Sequence, residues 1–422
     1  MSPGVRTVSV APIAVLVALV CLPQLAVGMY VPALPRMATD LGSTEAAIQQ
    51  TLVAYMAGYA LSMLCAGLLA DRYGRRPVLL GGLALFTVVT CGSLVADQVW
   101  QLDVLRFLQA LGGCAGTVVA RLIVKDVMEP RRRVAALTYL STGLAITPAV
   151  SPLLGGVLVA SGSWRSCFAV MLVAGVLMFA AVARAVPETL RRETAVPLST
   201  GHVLRGCREI LRNRPFRAAA ITISLAWCGY FVFTLLSSLL LQGRMGMGPI
   251  GFATAYGCVV LGYVAGSTAA RRAVGRWTTV RTMRTAAVWA GCAAAGLVAL
   301  AAALPASPVA FTAGMAAVMV GVGAVFPTAQ ASSLEAVGAH AGLASGLFFA
   351  MQMASGALYG QLASLVHHPG AVPSALLIAA PCWALAGYAL LSRGGPAASG
   401  TGGVAASAAK APSPARRLRA GA

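Results

Sequence analysis

The sequence has little charge, and acidic residues are the scarcest part of it. Of its 422 residues only 10% are charged, with 31 basic side chains against 11 acidic ones, while 59% are hydrophobic. Soluble proteins carry about 25% charged residues, which cover the surface that faces water. The composition therefore excludes an ordinary soluble domain and indicates a membrane protein.

The motifs of several enzyme classes are also absent. The chain contains no GxxxxGK[ST] phosphate-binding loop, no GxSxG nucleophile turn and no HExxH zinc motif. Its ten cysteines form no CxxC pair, and all but Cys207 lie in apolar runs or at their edges, where cysteine acts as a small hydrophobic residue. We therefore expect no catalytic residue, no metal, no cofactor and no enzyme activity.

What the sequence does contain is a series of long apolar runs. Each is about 20 residues or longer, which is enough for a helix to cross a bilayer. We predict an all-α polytopic membrane protein with twelve spans, at residues 9–31, 46–70, 77–96, 101–124, 134–160, 165–186, 216–241, 250–270, 283–304, 308–330, 341–366 and 372–392.

The longest connection between the runs divides them into six and six. We therefore expect an N-terminal six-helix bundle over residues 1–186 and a C-terminal one over 216–392. The connection itself, 187–215, is predicted to be a cytoplasmic loop. The Ala-, Gly-, Pro- and Ser-rich tail, 393–422, is predicted to be disordered.

The basic residues indicate how the chain is oriented. With the N-terminus inside, 26 basic residues fall on the cytoplasmic side and three, Arg36, Arg165 and Arg244, fall on the other. This distribution follows the positive-inside rule and predicts that both termini are cytoplasmic. Topology thus accounts for the net charge of +20, and we expect no nucleic-acid partner.

The connection between spans 2 and 3 reads "GLLADRYGRRPVLLGG". A carboxylate at the C-terminal end of a helix opposes the helix dipole, so Asp71 needs a partner. We predict that this segment is a cytoplasmic gate; the alternative is an ordinary basic hairpin with a glycine turn. A weaker copy, "GSTAARRAVGRW", follows about 200 residues later without the acid. The predicted gate residues are Asp71, Arg72, Gly74, Arg75 and Arg76.

Two polar residues lie inside the fourth span. An arginine within the membrane is costly and is a candidate for a functional site, so we predict that Arg106 and Gln109, on one side of the helix, line a binding site. The alternative is a structural arginine bound to backbone carbonyls. Arg121, nearer the cytoplasmic end, can reach the interface or pair with Asp126.

The fifth span combines helix-bending and small residues. Pro148 and Pro152 each remove a backbone hydrogen bond, and Gly155 and Gly156 permit close approach of another helix. We predict a bent, tightly packed helix that takes part in gating, with simple packing as the alternative.

Other spans supply candidates for a binding cavity. Span 11 reads "GLASGLFFAMQMASGALYG" and places Met351 and Gln352 at mid-membrane, where methionine adapts to varied apolar ligands. Tyr30, Tyr55 and Trp227 are candidate aromatic contacts. The alternative for each is packing between helices.

Four motifs together resemble the major facilitator superfamily. "GLLADRYGRRP" is similar to its span 2–3 signature, "RFLQALGGCAG" to its span 4 motif, and "TPAVSPLLGG" to the span 5 motif of its antiporters. "MYVPALP", at the end of span 1, resembles the twelve-helix drug–proton antiporters of the bicyclomycin and chloramphenicol resistance group.

The resemblance implies two six-helix bundles around a central cavity. It also implies export of small, largely apolar compounds by alternating access, linked to protons. The expected protein is a monomer in the lipid bilayer of the bacterial cytoplasmic (inner) membrane.

One position departs from the resembled pattern. Those antiporters place an acid directly before "MY", where this chain has Gly28, and all eleven acids here fall in connections or at span edges. Three interpretations stay open. The protein is an exporter coupled through an edge acid such as Asp103 or Asp126, or an uncoupled or anion-linked facilitator, or a binding or sensing protein without turnover.

Overall fold

The structure is a computed structural model that describes residues 13–190, 200–274, 276–335, 341–366 and 370–391. The chain forms helices through almost all of these ranges. They are α1 (Ile13–Gly28), α2 (Leu34–Asp40), α3 (Glu45–Tyr73), α4 (Arg75–Val95), α5 (Val99–Gly113), α6 (Ala115–Val127), α7 (Pro130–Ser161), α8 (Arg165–Ala185), α9 (Thr200–Arg212), α10 (Arg214–Ser238), α11 (Pro249–Val274), α12 (Thr279–Ala303), α13 (Pro308–Glu335), α14 (Ala341–Ser364) and α15 (Ala371–Leu391).

The apolar runs become helices because a helix satisfies every backbone hydrogen bond within its own segment, as a lipid environment requires. Eleven segments of the described chain are long and apolar enough to cross a membrane. The remaining predicted span is α14, which is also a continuous helix, of 24 residues. The described chain therefore has a helix at each of the twelve predicted spans.

Two of these spans consist of consecutive helices. The first joins α1 and α2 through a 3₁₀ turn, Val31–Ala33, where two prolines interrupt the α-helix. The fourth consists of α5 and α6, which meet at Cys114. Span 7 continues from α10 into a π-helical turn, Leu239–Arg244.

The two halves repeat the same helix pairs. In the N-terminal half α3 packs on α5, α4 on α8 and α1 on α7; in the C-terminal half α11 packs on α13, α12 on α15 and α10 on α14. When the six spans of each half are numbered in order, the same pairs are in contact in both halves: the second with the fourth, the third with the sixth, and the first with the fifth. The halves meet where α3 packs on α14 and where α7 packs on α11. The fold is thus two pseudo-symmetric six-helix bundles, as predicted.

The connection between the halves contains a helix that the sequence analysis described only as a loop. α9 is capped off from α10 by Asn213, whose side chain accepts a hydrogen bond from Phe216 N–H. Ile210 of α9 is buried, and the helix packs on α10 and α14. Its signal was a narrow apolar stripe in a charged segment, which is shorter than a membrane span. The predicted tail, 393–422, lies outside the described residues.

Candidate functional site

Arg106 is fully buried in the N-terminal half and lies between two aromatic rings. Its guanidinium carbon is 4.3 Å from the ring centre of Tyr30 and 4.2 Å from that of Tyr55. Such contacts each stabilise a desolvated cation by about 2 kcal/mol. Nη2 donates to the Ala26 carbonyl at 3.1 Å, and Nη1 donates to Gln109 Oε1 at 2.5 Å. Rings, a carbonyl and an amide therefore take the place of a counter-ion.

A second layer of hydrogen bonds holds the partners of Arg106 in place. Gln109 donates to Thr90 Oγ1 at 2.7 Å, so its oxygen faces the arginine. The hydroxyl of Tyr30 is 2.6 Å from that of Thr51, and Tyr55 donates to the Pro23 carbonyl at 3.0 Å. The cluster links α1, α3, α4 and α5, and its geometry matches the structural alternative for Arg106.

A small cavity lies between the two halves, apart from the Arg106 cluster. Its volume is about 20 Å³, which is room for about one water molecule. The lining contains no charged side chain. The lining residues are Gln24, Val27, Gly28, Met56 and Pro148 from the N-terminal half, and Trp227, Tyr230, Phe231, Thr234 and Tyr256 from the C-terminal half.

Three hydroxyl groups on the C-terminal wall of this cavity form a connected set. The Tyr256 hydroxyl is 3.0 Å from that of Tyr230 and 2.9 Å from that of Thr234. None of these three residues was predicted from the sequence. Tyr230 and Thr234 follow Trp227 at helical spacing on one face of α10, and this was the available signal.

The predicted lining residues thus divide into separate groups. Trp227 lies at the central cavity, whereas Tyr30, Tyr55, Arg106 and Gln109 are together inside the N-terminal half. Gln352 is buried and Met351 partly buried on α14.

Two polar atoms near α14 have no hydrogen-bond partner among the described residues. They are Nε1 of Trp227 and Oε1 of Gln352. A Cβ atom placed on Gly356 of α14 would lie 2.5 Å from that same Trp227 nitrogen. The indole of Trp227 therefore packs closely on the backbone of α14, and the glycine at this position permits that contact.

The α3–α4 turn is held by an ionic network around Arg75. Its Nη1 is 2.8 Å from Asp71 Oδ1, and its Nε is 3.0 Å from Asp126 Oδ2. Glu188 accepts hydrogen bonds from the backbone N–H groups of Arg75 and Arg76 at 2.9 and 3.1 Å. Arg75 is thus the cationic partner that was expected for Asp71 at the C-terminal end of α3. Asp71, Arg75 and Asp126 belong to the N-terminal half, and Glu188 to the connection that follows it.

The other predicted gate residues surround this network. Gly74 makes the turn with φ of 106° and ψ of 158°, a conformation that is open almost only to glycine, and the Glu188 carboxylate occupies the space beside it. Arg76 donates to the Ala183 carbonyl at 2.7 Å. Arg72 is exposed, with its guanidinium 5.2 Å from the ring centre of Tyr73.

The glycines and prolines of α7 lie where this helix passes between the halves. Gly155 packs directly on the backbone of Met29, and a Cβ at Gly156 would lie 2.8 Å from the Pro249 carbonyl of α11. Pro148 lines the central cavity, and Pro152 is buried. The small residues therefore permit α7 to contact span 1 and the opposite half at once.

Contacts between the halves close the central cavity at both ends. At the end that carries the α3–α4 turn, the guanidinium of Arg121 lies 5.1 Å from the Phe349 ring of α14. Arg121 therefore contacts the opposite half, while Asp126 pairs with Arg75.

At the end that carries α2, hydrogen bonds join the halves. Gln50 donates to Ser364 Oγ at 2.8 Å, and Gln242 donates to the Pro32 carbonyl at 3.1 Å. The structure is therefore an occluded form, closed on both sides.

Comparison with known proteins assigns this architecture to a family. The model of the Major Facilitator Superfamily matches residues 16–360. The chain belongs to the major facilitator superfamily. It is accordingly a multi-pass membrane transporter, and the pairing of spans and the central cavity are those of that fold.

Two relatives and one solved structure describe its place within the superfamily. The chain is 31% identical over 232 residues to multidrug resistance protein D of Escherichia coli (strain K12), covering 55% of this chain and 58% of that protein. It is 30% identical over 350 residues to the chloramphenicol resistance protein of Pseudomonas aeruginosa, covering 82% and 81%. The structure of a D-xylose–proton symporter superposes with a TM-score of 0.71 at 14% identity, covering 89% of this chain and 96% of the symporter. This last similarity concerns the fold alone.

The position at which this major facilitator departs from the resembled antiporters is filled by another helix. Gly28 is buried against α7, and a Cβ atom there would overlap Ser151 Oγ and lie 2.6 Å from Ser151 Cβ. Ser151 Oγ is itself buried without a partner among the described residues. The space where an acidic side chain would begin is thus occupied by a serine.

Proposed function

We propose that this protein exports small, uncharged, largely apolar compounds across the bacterial cytoplasmic membrane by alternating access. The observation that carries the proposal is the central cavity, which lies between the halves and is closed at both ends by contacts that join them. Parting one set of contacts while the other holds would open the cavity to one side only.

The lining supports the class of cargo. Trp227, Phe231 and Tyr230 offer aromatic surface, and Gln24 and the linked hydroxyls offer hydrogen bonds, with no charge in the lining. A drug-sized ligand needs a pocket of about 300 Å³ or more, so cargo must enter after the halves have moved apart. The resistance proteins named above, which share this chain's family, support drugs and antibiotics as cargo.

The remaining features of the proposal follow from the sequence. The 26-to-3 distribution of basic residues supports cytoplasmic termini, which places the α3–α4 turn inside and α2 outside. Under this orientation the Arg75 network and Arg121 belong to the cytoplasmic gate. Residues 1–186 and 216–392 would act as the two moving domains of a monomer, with 187–215 as the cytoplasmic link, and we propose that transport is linked to protons.

A second candidate is an uncoupled facilitator. It is favoured by the Gly28–Ser151 contact, which leaves no room for the acid of the resembled antiporters. A facilitator would equilibrate the cargo and would ignore a pH gradient, so the two candidates differ in a measurable way.

Transport in proteoliposomes tests the proposal. We expect the purified protein to carry chloramphenicol down an imposed drug gradient, with saturation. Tyr256→Phe removes the hydroxyl shared by Tyr230 and Thr234 and should raise the apparent KM about fivefold, since one hydrogen bond contributes about 1 kcal/mol. The matched control is Tyr139→Phe, because Tyr139 is exposed on α7.

Each contrary outcome has a distinct meaning. Specific binding without flux would indicate a sensor, and chemical conversion of the compound would indicate an enzyme. If Tyr256→Phe and Tyr139→Phe change the apparent KM equally, the central cavity is not the cargo site.

A further inference from the structure

Asp103 differs from the other acids that the structure describes in spans 2–6. Asp71 and Asp126 share the guanidinium of Arg75, and Glu188 accepts backbone N–H groups. Asp103 lies in the second turn of α5, and its Oδ1 atom is buried with no hydrogen-bond partner among the described residues. Its side chain is only partly exposed. A carboxylate in this position is poorly satisfied when ionised.

The surroundings of Asp103 link it to the Arg106 cluster. Arg106 is one turn further along α5, and Tyr30, whose ring lies against the guanidinium of Arg106, is close to both charged groups. Arg106 makes no ion pair in the described structure, and its Nε atom has no partner. A cation and an anion thus lie one turn apart without contact. A movement that brought them closer would stabilise both charges.

The groups that face Asp103 from other elements are few. Tyr30 approaches from the end of span 1, and Tyr55 stands on α3, the helix most closely packed on α5. The described charged residues of α3 and α4 lie at the helix ends, among them Glu45 on the α2 side. Arg165 of α8 is engaged by the carbonyls of Leu94 and Ala96.

We propose that Asp103 is the proton-binding carboxylate that couples export to proton entry, a proposal that rests on the export function above. One proton adds to the carboxylate to give the neutral acid, and no other bond changes. When ionised, Asp103 and Arg106 together carry no net charge inside the membrane. When protonated, they carry one positive charge, which shifts the balance between the open and closed forms of the N-terminal half.

The position of Asp103 fits proton loading from outside. α5 begins at the outer end of the bundle in the proposed orientation, close to the level of the hydrogen bonds from Gln50 and Gln242 that join the halves. Opening that end would expose the carboxylate further to water, and closing it would return the carboxylate to the partly exposed state seen here. Cargo could then leave as the proton binds.

The test compares two amide variants in proteoliposomes with the full-length protein. Asp103→Asn removes the titrating group, and Asp97→Asn removes an exposed acid six residues earlier, just before α5. Two readings are taken with chloramphenicol. One is uptake driven by an imposed pH gradient, and the other is exchange of labelled for unlabelled drug without a gradient.

We expect Asp103→Asn to lose the response to the gradient while it keeps drug exchange. The pH dependence of drug affinity, about tenfold in the parent for a coupling of this kind, should become flat. Asp103→Glu should restore both responses, and Asp97→Asn should behave like the parent. Retained exchange shows that the variant is folded.

Three outcomes separate this proposal from the export function. Export that follows the gradient in Asp103→Asn overturns the role of Asp103 and leaves the export function standing. Drug transport by the parent that ignores the gradient removes proton coupling altogether. Absence of any drug flux in the parent overturns the export function itself. If exchange is lost in Asp103→Asn but kept in Asp103→Glu, the pH dependence of drug affinity in the glutamate variant decides whether the carboxyl group titrates. An affinity that does not change with pH in that variant contradicts titration at this position.

Discussion

The two halves of the molecule share their helix packing but differ in the chemistry of their interiors. The N-terminal half buries Arg106 and carries Asp103 partly exposed one turn away, whereas the C-terminal half places the neutral hydroxyls of Tyr230, Thr234 and Tyr256 at the cavity. In the described C-terminal spans the charged residues lie at the helix ends. Both halves can keep the same helix packing despite this difference. The packing of apolar helices depends on small residues and complementary surfaces rather than on particular polar groups.

The corresponding turns of the halves differ in the same way. The α3–α4 turn combines Gly74 with the ionic network of Asp71, Arg75 and Asp126. The α11–α12 turn has no acid in its sequence, and there the guanidinium of Arg281 lies over the ring of Trp277, at 5.0 Å. Of the two copies, the N-terminal one therefore carries the charge-dependent contacts. The following variants test how far that asymmetry matters.

The largest effect is expected from placing an acid on α1. Gly28→Asp would add the charge found in the resembled antiporters, but its Cβ would overlap Ser151. Displacing α7 and burying a carboxylate should cost about 3 kcal/mol, measured as a lower Tm of the purified protein in detergent. Gly28→Ala should lower the Tm as well, since the overlap begins at Cβ.

The partner variant provides the control. Ser151→Gly removes the overlapping atoms, so the pair Gly28→Asp and Ser151→Gly should recover part of the lost stability. A single Gly28→Asp variant that is as stable as the parent would show that α1 and α7 are not packed this closely.

A substitution in the α3–α4 turn should lower the stability less than Gly28→Asp does, but still measurably. Gly74→Ala forces an L-residue to φ of 106° and displaces Glu188, at a cost of about 2 kcal/mol. Gly81→Ala, in the same helix α4 with open space around it, should instead stabilise the helix by about 1 kcal/mol. Thermal unfolding of both variants checks the difference, and a drop of equal size in both would argue against strain at the turn.

The smallest change in stability is expected at the Arg106 cluster. Arg106→Lys keeps the charge but loses the planar group between Tyr30 and Tyr55, which should cost about 1 kcal/mol. Transport should nevertheless fall sharply, because the cation can no longer hold both rings and Gln109. Arg165→Lys is the control, since Arg165 also bonds two carbonyls and stacks on Trp164 but lies at the rim of the bundle. Equal transport by the two variants would show that the cluster has only a structural role.

Much of the architecture could be predicted from the sequence for a simple reason. Hydropathy is a property of local composition, so the spans were readable from the apolar runs. The Arg75 network was foreseeable in part, since a carboxylate at the end of α3 requires a cation and the nearest ones follow within a turn. The proximity of Arg106 and Gln109 followed from helical spacing.

Other features depend on which helices cross and how each is rotated. The sequence suggested that Tyr30, Tyr55 and Arg106 share a cavity with Trp227, but the described structure places the first three in a closed cluster within one half. Tyr230, Thr234 and Tyr256 are ordinary span residues until α10 and α11 bring their hydroxyls together. α9 was missed because its apolar stripe is too narrow to stand out in a charged segment.

The sequence by itself determined the membrane setting, the helix at each span and the family, because the cost of exposing backbone and charge to lipid leaves few alternatives. Only the tertiary structure decided which groups satisfy the buried charges. It gave Arg106 two rings and a carbonyl, gave the place of the antiporter acid to Ser151, and left one oxygen of Asp103 without a partner. The physical reason is that a side chain's partner is fixed by the rotation and crossing of whole helices, and no local pattern records either.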